Sequence, residues 1–326
     1  MNLLIIKLSS LGDVVHTLPA VQDLRRARPG VRIDWVVERG FVPLVQRCEG
    51  VQRAIPVELR RWTRAPLSRD TRHAWRAFRE DLRTTAYDAV IDLQGLTKSA
   101  LVAHTARLAP PGKRYALANR TEGSSYEAPT RWVADIAVAV PTRMHAVERS
   151  REMCARALGY AVPAGLQWGL RAQRTQEDGR CVAFVHGSSR EDKCWPVERW
   201  IALGRTLASE GLSIVLPHGS DAERERAEAI ATGIGAAARV WPRLDLGALT
   251  DRLAGCEGVI GVDSGLSHIA VALGLPHVQV YNFDTAWRTG PEVPGVPANP
   301  RQRSVHGSPS PTLEAVLTAW RAVASA

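Results

Sequence analysis

The chain has 326 residues, of which 45% are apolar and 23% are charged, with 26 glycines and 20 prolines. This composition is typical of a globular protein of about two domains, and it excludes a disordered or collagen-like chain. The formal net charge of +9 indicates either a margin of solubility or a polyanionic partner, such as nucleic acid, an anionic membrane or a phosphorylated substrate.

Nothing in the sequence predicts a membrane-spanning helix or a signal peptide. The apolar runs are as long as strands, well short of the roughly 20 residues that a spanning helix needs. The apolar start contains Lys7 and lacks a small-residue cleavage site. The five cysteines are scattered and form no CxxC pair, which favours free thiols in a reducing cytoplasm and no zinc site.

Buried strands and amphipathic helices alternate along the first half of the chain. Apolar runs predict strands at residues 3–6, 31–37, 51–57 and 89–93. Helical periodicity predicts helices at residues 14–28, 69–85, 96–108 and 145–158. Residues 161–178 contain Pro163, Gly165 and Gly169 and are interpreted as a linker.

The alternation restarts after this linker. The predicted strands are residues 181–186, 212–216, 259–262 and 278–281, and the predicted helices are 196–209, 222–231, 264–273 and 312–324. Two such halves predict an α/β protein with doubly wound, mostly parallel domains at 1–160 and 179–310. Ligands of such sheets bind beyond the carboxyl ends of the strands, so a cleft between facing domains is the expected site.

The loops after the strands exclude several enzyme classes. The chain has neither a GxGxxG dinucleotide fingerprint after its first strand nor a GxxxxGK[ST] phosphate loop, which argues against NAD dehydrogenases and P-loop NTPases. It also lacks an Asp-x-Asp pair for a metal-bridged nucleotide sugar, and a GxSxG elbow of an α/β-hydrolase.

Asp13 lies where the first strand turns into a helix. An aspartate at such a junction can be the N-cap of the helix, a general base at the carboxyl edge of the sheet, or both.

Two loops in the second half suit phosphate groups. Ser188 and Ser189 follow a glycine after a strand, and Lys193 adds a positive charge before the next helix. Ser264, Gly265 and Leu266 open a helix directly after Asp263, so their backbone N–H groups are free to bind an anion. Together the loops indicate a diphosphate ligand, and a helix residue, Glu223, is a candidate for a ribose hydroxyl.

A basic segment follows the third predicted strand. Arg60, Arg61 and Arg64 are not spaced as on a helix, which predicts a basic loop for carboxylate or phosphate groups. Trp62 and Trp75 lie in or near it and are candidates for a lipid interface. A solvated helix face accounts for part of the charge beyond this loop.

These motifs, in this order and spacing, resemble the ADP-heptose:lipopolysaccharide heptosyltransferases, and within them the type I enzymes. The resemblance runs from the first residues to about Tyr281. The matching segments are residues 7–20 (KLSSLGDVVHTLPA), 34–38 (DWVVE), 60–62 (RRW), 87–100 (YDAVIDLQGLTKSA), 145–149 (HAVER), 192–196 (DKCWP) and 262–268 (VDSGLSH). The segment 282–288 departs from the family pattern.

The resemblance implies a GT-B architecture of two Rossmann-like domains facing a central cleft, with the final helix, residues 311–326, returning to the first domain. It implies an inverting, metal-independent transfer of L-glycero-D-manno-heptose from ADP-heptose to the first Kdo of Kdo₂-lipid A. It further implies a cytoplasmic enzyme without cofactor, peripherally attached to the inner membrane and without a nucleic-acid partner.

The resemblance also assigns roles to individual residues. Asp13 is implied to be the catalytic base. The implied donor-binding residues are Ser188, Ser189, Lys193, Glu223, Asp263, Ser264, Gly265, Leu266 and His268. The implied acceptor-binding residues are Lys7, Ser10, Gly12, Arg60, Arg61, Arg64 and Gln94.

Two alternatives stay open on the sequence alone. One is a type II or III heptosyltransferase of the same architecture. The other is a basic, non-catalytic protein that binds nucleic acid or membranes, although no nucleic-acid module is recognisable.

Overall fold

The computed structural model of the chain describes residues 1–175 and 178–326. It divides into two compact units, Met1–Gly169 and Leu170–Ala326. The division falls within the stretch 161–178 that was predicted as a linker, of which residues 176 and 177 lie outside the described residues. Among the helices of the described residues, none combines the length and the apolar composition that crossing a membrane requires.

The first unit is built on one parallel sheet. Its strands are β1 (Asn2–Ile6), β2 (Arg32–Glu38), β3 (Val51–Val57), β4 (Tyr87–Asp92), β5 (Leu108–Leu117) and β6 (Ile136–Val138). They lie in the order β3-β2-β1-β4-β5-β6, and every neighbouring pair is parallel. The central strand β1 is buried from Leu3 to Ile6, as its continuous apolar run predicts.

Helices cover both faces of this sheet. They are α1 (Leu11–Val15), α2 (Leu18–Ala27), α3 (Val42–Val45), α4 (Leu59–Trp62), α5 (Arg69–Leu82), α6 (Thr97–Thr105), α7 (Thr130–Val133) and α8 (Ala146–Leu158). The prediction of one helix over residues 14–28 is wrong, because the chain forms α1 and α2 in succession. Pro19 stands in the first turn of α2, where its missing N–H is tolerated, and it would break a continuous helix.

Strand β5 was not predicted because its sequence contains Pro110, Pro111 and Gly112. A side chain at position 112 could not be accommodated, since a Cβ there would lie 2.5 Å from the carbonyl oxygen of Ala109 and 2.6 Å from that of Tyr87. Glycine therefore allows β5 to run beside β4 despite the two prolines.

The second unit repeats the topology of the first. Its strands are β7 (Cys181–Val185), β8 (Ser213–Leu216), β9 (Ala238–Val240), β10 (Gly258–Val262), β11 (His277–Tyr281) and β12 (Gln302–His306). They lie in the order β12-β11-β10-β7-β8-β9 and are parallel throughout. Counted from the first strand of each unit, both orders are 3-2-1-4-5-6, the doubly wound Rossmann arrangement. The predicted fold of two doubly wound α/β domains is confirmed.

The helices of the second unit include the last one of the chain. They are α9 (Val197–Ser209), α10 (Asp221–Ile234), α11 (Leu246–Ala254), α12 (Gly265–Ala272), α13 (Ala286–Thr289) and α14 (Leu313–Ala324). The buried residues Val316, Trp320 and Val323 of α14 belong to the hydrophobic core of the second unit. Gly258 makes room for Trp320, because a Cβ on it would lie 2.7 Å from the indole ring. The expected return of this helix to the first domain is therefore wrong, because its apolar face packs into the core of its own unit.

The strand order fixes where ligands can bind. In each unit the order reverses between two central strands, β1 and β4 in the first and β7 and β10 in the second. Ligands of doubly wound sheets bind outside the carboxyl ends of the strands at this reversal. The segments that follow these four strands contain Asp13, Gln94, Lys193 and Asp263.

Candidate active site

The segment between β1 and α1 places Asp13 at the carboxyl edge of the first sheet. Ser10 is the N-cap of α1, and Asp13 is the third residue of the helix. Its Oδ2 atom accepts hydrogen bonds from Ser10 N at 3.2 Å and from Ser10 Oγ at 3.0 Å. Asp13 is therefore not the N-cap, one of its two predicted roles, but it does hold the first turn of the helix together.

The other carboxylate oxygen of Asp13 faces two cations. Oδ1 lies 3.4 Å from Lys7 Nζ and accepts a hydrogen bond from Arg149 Nη2 at 3.1 Å. Burial of the carboxylate favours a higher pKa, but the positive charges of Lys7 and Arg149 outweigh it and hold the pKa of Asp13 below its usual range. The side chain is 33% exposed, so an ionised carboxylate is reachable from solvent.

Lys7 is itself almost fully enclosed, with 2% exposure. Its ammonium donates a hydrogen bond to the carbonyl oxygen of Leu93 at 3.0 Å. Burial lowers the pKa of Lys7 to about 8, although the Asp13 carboxylate favours the charged form. Burying a lysine costs free energy even with the Asp13 carboxylate beside it, so stability alone does not account for Lys7 at this position.

The loop after β4 holds the Asp13 segment in place. Gln94 Oε1 accepts hydrogen bonds from the backbone N–H groups of Leu8 at 3.0 Å and Ser9 at 3.1 Å. Asp92 is buried and accepts hydrogen bonds from Gln94 N and Ser99 Oγ, and burial raises the pKa of its carboxyl group to about 6. The side-chain amide oxygen of Gln94, a residue predicted to line the acceptor site, thus accepts hydrogen bonds from the protein backbone.

Arg149 was not predicted as a site residue. It lies on α8, is 8% exposed, and is held by a hydrogen bond from Nη1 to Thr121 Oγ1 at 3.2 Å. His145 caps α8 by accepting a hydrogen bond from Val147 N, and its ring packs against that of His16. The helix was predicted from its periodicity, but only the match of residues 145–149 to the family pattern linked it to the site.

The basic segment is a helix rather than a loop. Arg60 and Arg61 lie on α4 and Arg64 follows it; all three are exposed. Trp62 is 6% exposed and packs against Trp75 in the core, so it is not available to a lipid interface. The expectations of a basic loop and of an interfacial Trp62 are both wrong, because an aromatic residue between arginines anchors one turn of helix.

The backbone links this segment to the edge that contains Asp13. Arg60 N donates a hydrogen bond to Glu38 Oε1 at 3.3 Å, and Glu38 N donates one to the carbonyl oxygen of Leu8 at 3.1 Å. Arg61 pairs with Glu58 at 3.3 Å. None of the described residues forms a hydrogen bond or an ion pair with the guanidinium groups of Arg60 and Arg64.

In the second unit, Lys193 and Asp263 meet across the carboxyl ends of β7 and β10. Lys193 Nζ lies 2.6 Å from Asp263 Oδ2, and the lysine side chain is 19% exposed. His268 Nε2 is 3.4 Å from Asp263 Oδ1. Burial alone favours a higher pKa for Asp263, but His268 and Lys193 hold it below its usual range.

The start of α12 adjoins this pair. Ser264 is the N-cap and Gly265 and Leu266 begin the helix, where backbone N–H groups have no partner within the helix. The Ser264 hydroxyl is buried and has no hydrogen-bond partner among the described residues. Ser188 Oγ lies 3.4 Å from the carbonyl oxygen of Asp263, whereas Ser189 is exposed.

Glu223 caps its own helix with one oxygen. Oε2 accepts hydrogen bonds from Gly219 N at 2.7 Å and Ser220 N at 3.2 Å. No described residue donates a hydrogen bond to Oε1. A Cβ at Gly187 would lie 2.9 Å from this side chain, so glycine there brings the loop after β7 up to Glu223.

The segment 282–288, which departs from the family pattern, supports the loop after β7. Asn282 Nδ2 donates hydrogen bonds to the carbonyl oxygens of Asp192 at 2.8 Å and Cys194 at 3.0 Å. Thr289 Oγ1 donates to Asp263 Oδ1 at 3.2 Å. Residues beyond β11 therefore fix both Lys193 and Asp263, although their sequence matched nothing.

The structure thus brings the predicted residues into two groups. Lys7, Ser10, Asp13 and Gln94 meet in the first unit, with Gly12 on the same short helix. Ser188, Lys193, Asp263, Ser264 and His268 meet in the second. Within residues 1–175 and 178–326, no group of three or more His, Cys, Asp or Glu side chains is arranged to hold a metal ion.

Comparison with known proteins identifies the family of the chain. Residues 75–316 match the profile of glycosyltransferase family 9 (heptosyltransferase). The chain is 39% identical over 302 residues to lipopolysaccharide heptosyltransferase 1 of Escherichia coli K12, covering 91% of this chain and 90% of that protein. It is 38% identical over 316 residues to lipopolysaccharide heptosyltransferase 1 of Pseudomonas aeruginosa, covering 94% and 83%.

Other comparisons separate the two types of enzyme. Lipopolysaccharide heptosyltransferase 2 of Escherichia coli K12 is 27% identical over 305 residues, covering 86% of this chain and 82% of that protein. The solved structure of E. coli heptosyltransferase WaaC with ADP matches with a TM-score of 0.83 and 36% identity, over 98% of both chains. The same enzyme with ADP-2-deoxy-2-fluoro heptose matches with a TM-score of 0.82, also at 36% identity and over 98% of both chains.

Proposed function

The chain belongs to glycosyltransferase family 9, the heptosyltransferases, and from this we propose that it transfers L-glycero-D-manno-heptose from ADP-heptose to the first Kdo of Kdo₂-lipid A. It is a glycosyltransferase. The higher identity to type 1 enzymes, 39% against 27% for a type 2 enzyme, supports the choice of acceptor. The related structures with ADP and with an ADP-heptose analogue support the choice of donor.

The observation that carries the proposal is the Asp13 carboxylate, ionised between Lys7 and Arg149 and one-third exposed. A hydroxyl of the acceptor donates its proton to Asp13 while its oxygen attacks the anomeric carbon opposite the leaving ADP. The C–O bond to the phosphate breaks as the new C–O bond forms, so the anomeric configuration inverts. General-base assistance of this kind is worth about 10²–10⁴ in rate.

The second unit supplies positive charge for the leaving diphosphate. The Lys193 ammonium has three N–H donors, so it can keep its contact with Asp263 and still reach a phosphate oxygen. The first N–H groups of α12 and the hydroxyls of Ser188 and Ser264 add donors. We propose that these groups take the role of a metal ion, and that Glu223 binds a ribose hydroxyl through Oε1.

The exposed arginines 60, 61 and 64 suit the acceptor. Guanidinium groups bind carboxylates and phosphates in two-point contacts, and Kdo and lipid A carry both. A lipid acceptor also requires the protein to work at a membrane surface, and we propose peripheral attachment at the cytoplasmic face of the inner membrane.

The test is transfer by the purified protein in EDTA, with ADP-heptose and either Kdo₂-lipid A or its deacylated form. We expect ADP release and one added heptose per acceptor, and NMR of the product should show the inverted anomeric configuration. Activity that chelation abolishes and Mg²⁺ restores would contradict metal independence. Transfer only to an acceptor that already has one heptose would assign the chain to type II.

A further inference from the structure

The positive charge of the chain is concentrated in one short segment. Residues 59–82 contain seven arginines and three acids, Asp70, Glu80 and Asp81, so they hold a net charge of +4 out of the +9 of the whole chain. Three of these arginines, 60, 61 and 64, are part of the proposed acceptor site. The other four lie on α5 and have no role in the proposed reaction.

These four arginines form a stripe along α5. Residues three and four apart lie on the same side of a helix, and the four follow this 3-4-3 spacing. We call Arg69, Arg72, Arg76 and Arg79 the arginine stripe. All four side chains are exposed, and no described residue forms a hydrogen bond or ion pair with their guanidinium groups.

The rest of α5 shows that the stripe is a separate face. Phe78 and Leu82 are buried, and Trp75 packs with Phe78 against the core of the first unit. The helix therefore has no apolar face left to offer a partner. By its angular position on the helix, Asp70 lies on the flank opposite the stripe, whereas Glu80 lies beside Arg76, one turn further along.

One apolar side chain projects beside the stripe. Leu67, in the turn between α4 and α5, is 84% exposed. The turn is held on both sides, because Ser68 caps α5 through a hydrogen bond from Thr71 N, and Trp62 stacks edge-to-face on Trp75. Leu67 is thus presented on a fixed framework.

We infer that the arginine stripe and Leu67 form a docking surface for an anionic lipid bilayer. The inference rests on the proposed function, since it names the surface by which the enzyme reaches a lipid acceptor. Unpaired guanidinium groups bind lipid phosphates, and a protruding leucine suits the boundary between headgroups and acyl chains. Single-stranded nucleic acid would require exposed aromatic rings for base stacking, but Trp62 is buried and Trp75 half-buried here.

The surface is tested by vesicle co-sedimentation of the full chain without substrates. Each basic residue near an anionic bilayer contributes about fivefold in affinity. We expect binding to vesicles with about one-third phosphatidylglycerol, little binding to pure phosphatidylcholine, and loss of binding at about 0.5 M salt. The double variant Arg72→Glu with Arg76→Glu should bind at least about 25-fold more weakly.

Matched controls separate this surface from the net charge. Arg301→Glu with Arg303→Glu makes the same charge change at exposed positions of the second unit and should bind as the unchanged protein does. Leu67→Ser should weaken binding, whereas Leu101→Ser, at a position 49% exposed on α6, should not. The inference would be overturned if the two double arginine variants lost vesicle binding equally. It would also be overturned if the stripe variant, Arg72→Glu with Arg76→Glu, kept full binding.

Two further measurements distinguish the possible failures. The stripe variant should keep its melting temperature and its transfer to the deacylated, soluble acceptor, while losing transfer to Kdo₂-lipid A in anionic vesicles. If the unchanged protein binds such vesicles but transfers nothing to either acceptor, the proposed function fails and the docking surface stands. Tighter binding to a polynucleotide than to vesicles, lost in the stripe variant, would assign the stripe to nucleic acid instead.

Discussion

The two carboxylate oxygens of Asp13 have different partners, and this difference bears on catalysis. Oδ1 is shared between two cations, and Oδ2 receives the backbone N–H and the hydroxyl of Ser10. A carboxylate has about four lone-pair positions, so no position is left for an acceptor hydroxyl. Of the two partners of Oδ2, the backbone N–H cannot turn away, whereas the Ser10 hydroxyl can do so by a side-chain rotation. We therefore expect the attacking hydroxyl to take its place.

Replacing the Asp13 carboxylate by an amide should abolish most of the transfer. Asp13→Asn keeps the shape and the contact with Ser10 N but removes the proton acceptor, so kcat should fall by about 10²–10⁴. Affinity for ADP, measured by calorimetry, should stay within about twofold. The control is Ser10→Ala, which removes only the displaceable hydroxyl and should keep most of the rate. More than about a tenth of the original turnover in Asp13→Asn would contradict its role as the base.

Because the pKa of Lys7 is lowered by folding, the free energy of unfolding should rise with pH. Its pKa is about 8 in the folded protein, against an ordinary value of 10.5. Between these values the unfolded chain binds the extra proton, so Lys7 makes the protein more stable as the pH rises. Below pH 8 the buried ammonium destabilises the fold by about 3 kcal/mol.

The variant Lys7→Met lacks this titration. Its stability relative to the unchanged protein should therefore fall by about 2–3 kcal/mol between pH 7.5 and pH 10, measured by urea denaturation. Lys113→Met, at an exposed position on β5, is the matched control, and its relative stability should not change over this range. A constant difference for Lys7→Met would show that Lys7 does not titrate in this range.

Some residues of the candidate site can be located from the local sequence, and others cannot. Asp13 can be located because a buried apolar run fixes where the carboxyl end of the first strand lies, whereas Lys7 is indicated only by the family resemblance. Arg149 donates a hydrogen bond to the same Asp13 carboxylate, although the two residues are 136 positions apart in the sequence. The helical period of α8 places Arg149 and Arg151 on different sides of the helix, but it does not show that Arg149 meets Asp13 and Arg151 meets Asp23. Such a long-range ion pair depends on how helices pack on the sheet, which local sequence does not encode.

At the scale of elements, central strands were predicted and several outer ones were missed. Strands β1, β7 and β10 are buried on both faces and their sequences are almost entirely apolar, and β4 is buried from Ala89 to Asp92. The outer strands β9 and β12 contain Arg239 and Arg303, and neither shows such a run. Their pairing is decided by neighbouring strands, which a single-sequence pattern cannot show.

The aromatic contact between α4 and α5 should be a main stabiliser of the basic segment. Trp62 is 6% exposed and packs on Trp75 and Phe78. Trp62→Ala should lower the free energy of unfolding by about 3–5 kcal/mol, because it opens a cavity under α4. Trp132→Ala is the control, since that ring is 80% exposed on α7 and its loss should be nearly neutral. Urea denaturation of both variants measures the contrast, and equal effects would contradict the packing described here.

At the scale of the whole molecule, one topology occurs twice with different chemistry at its reversal point. The first unit places a carboxylate between cations there, and the second places a lysine and a helix N-terminus. The sequence predicted this doubling from its repeated alternation of strands and helices. It could not predict which sheet α14 covers, because an amphipathic period shows that one face is buried but not against what.

This division of roles predicts where ADP acts on the chain. At about 100 times its Kd, a ligand stabilises the structure it binds by about 2.7 kcal/mol. Hydrogen exchange should therefore slow by up to about 10²-fold in peptides covering residues 186–193 and 263–268, and stay unchanged over residues 7–16. Lys193→Ala should weaken ADP binding by about 10–10²-fold, since it removes a charge-assisted hydrogen bond, and the matched Lys113→Ala should not. Protection of residues 7–16 instead, or unchanged ADP affinity in Lys193→Ala, would show that the diphosphate does not bind at the loops after β7 and β10.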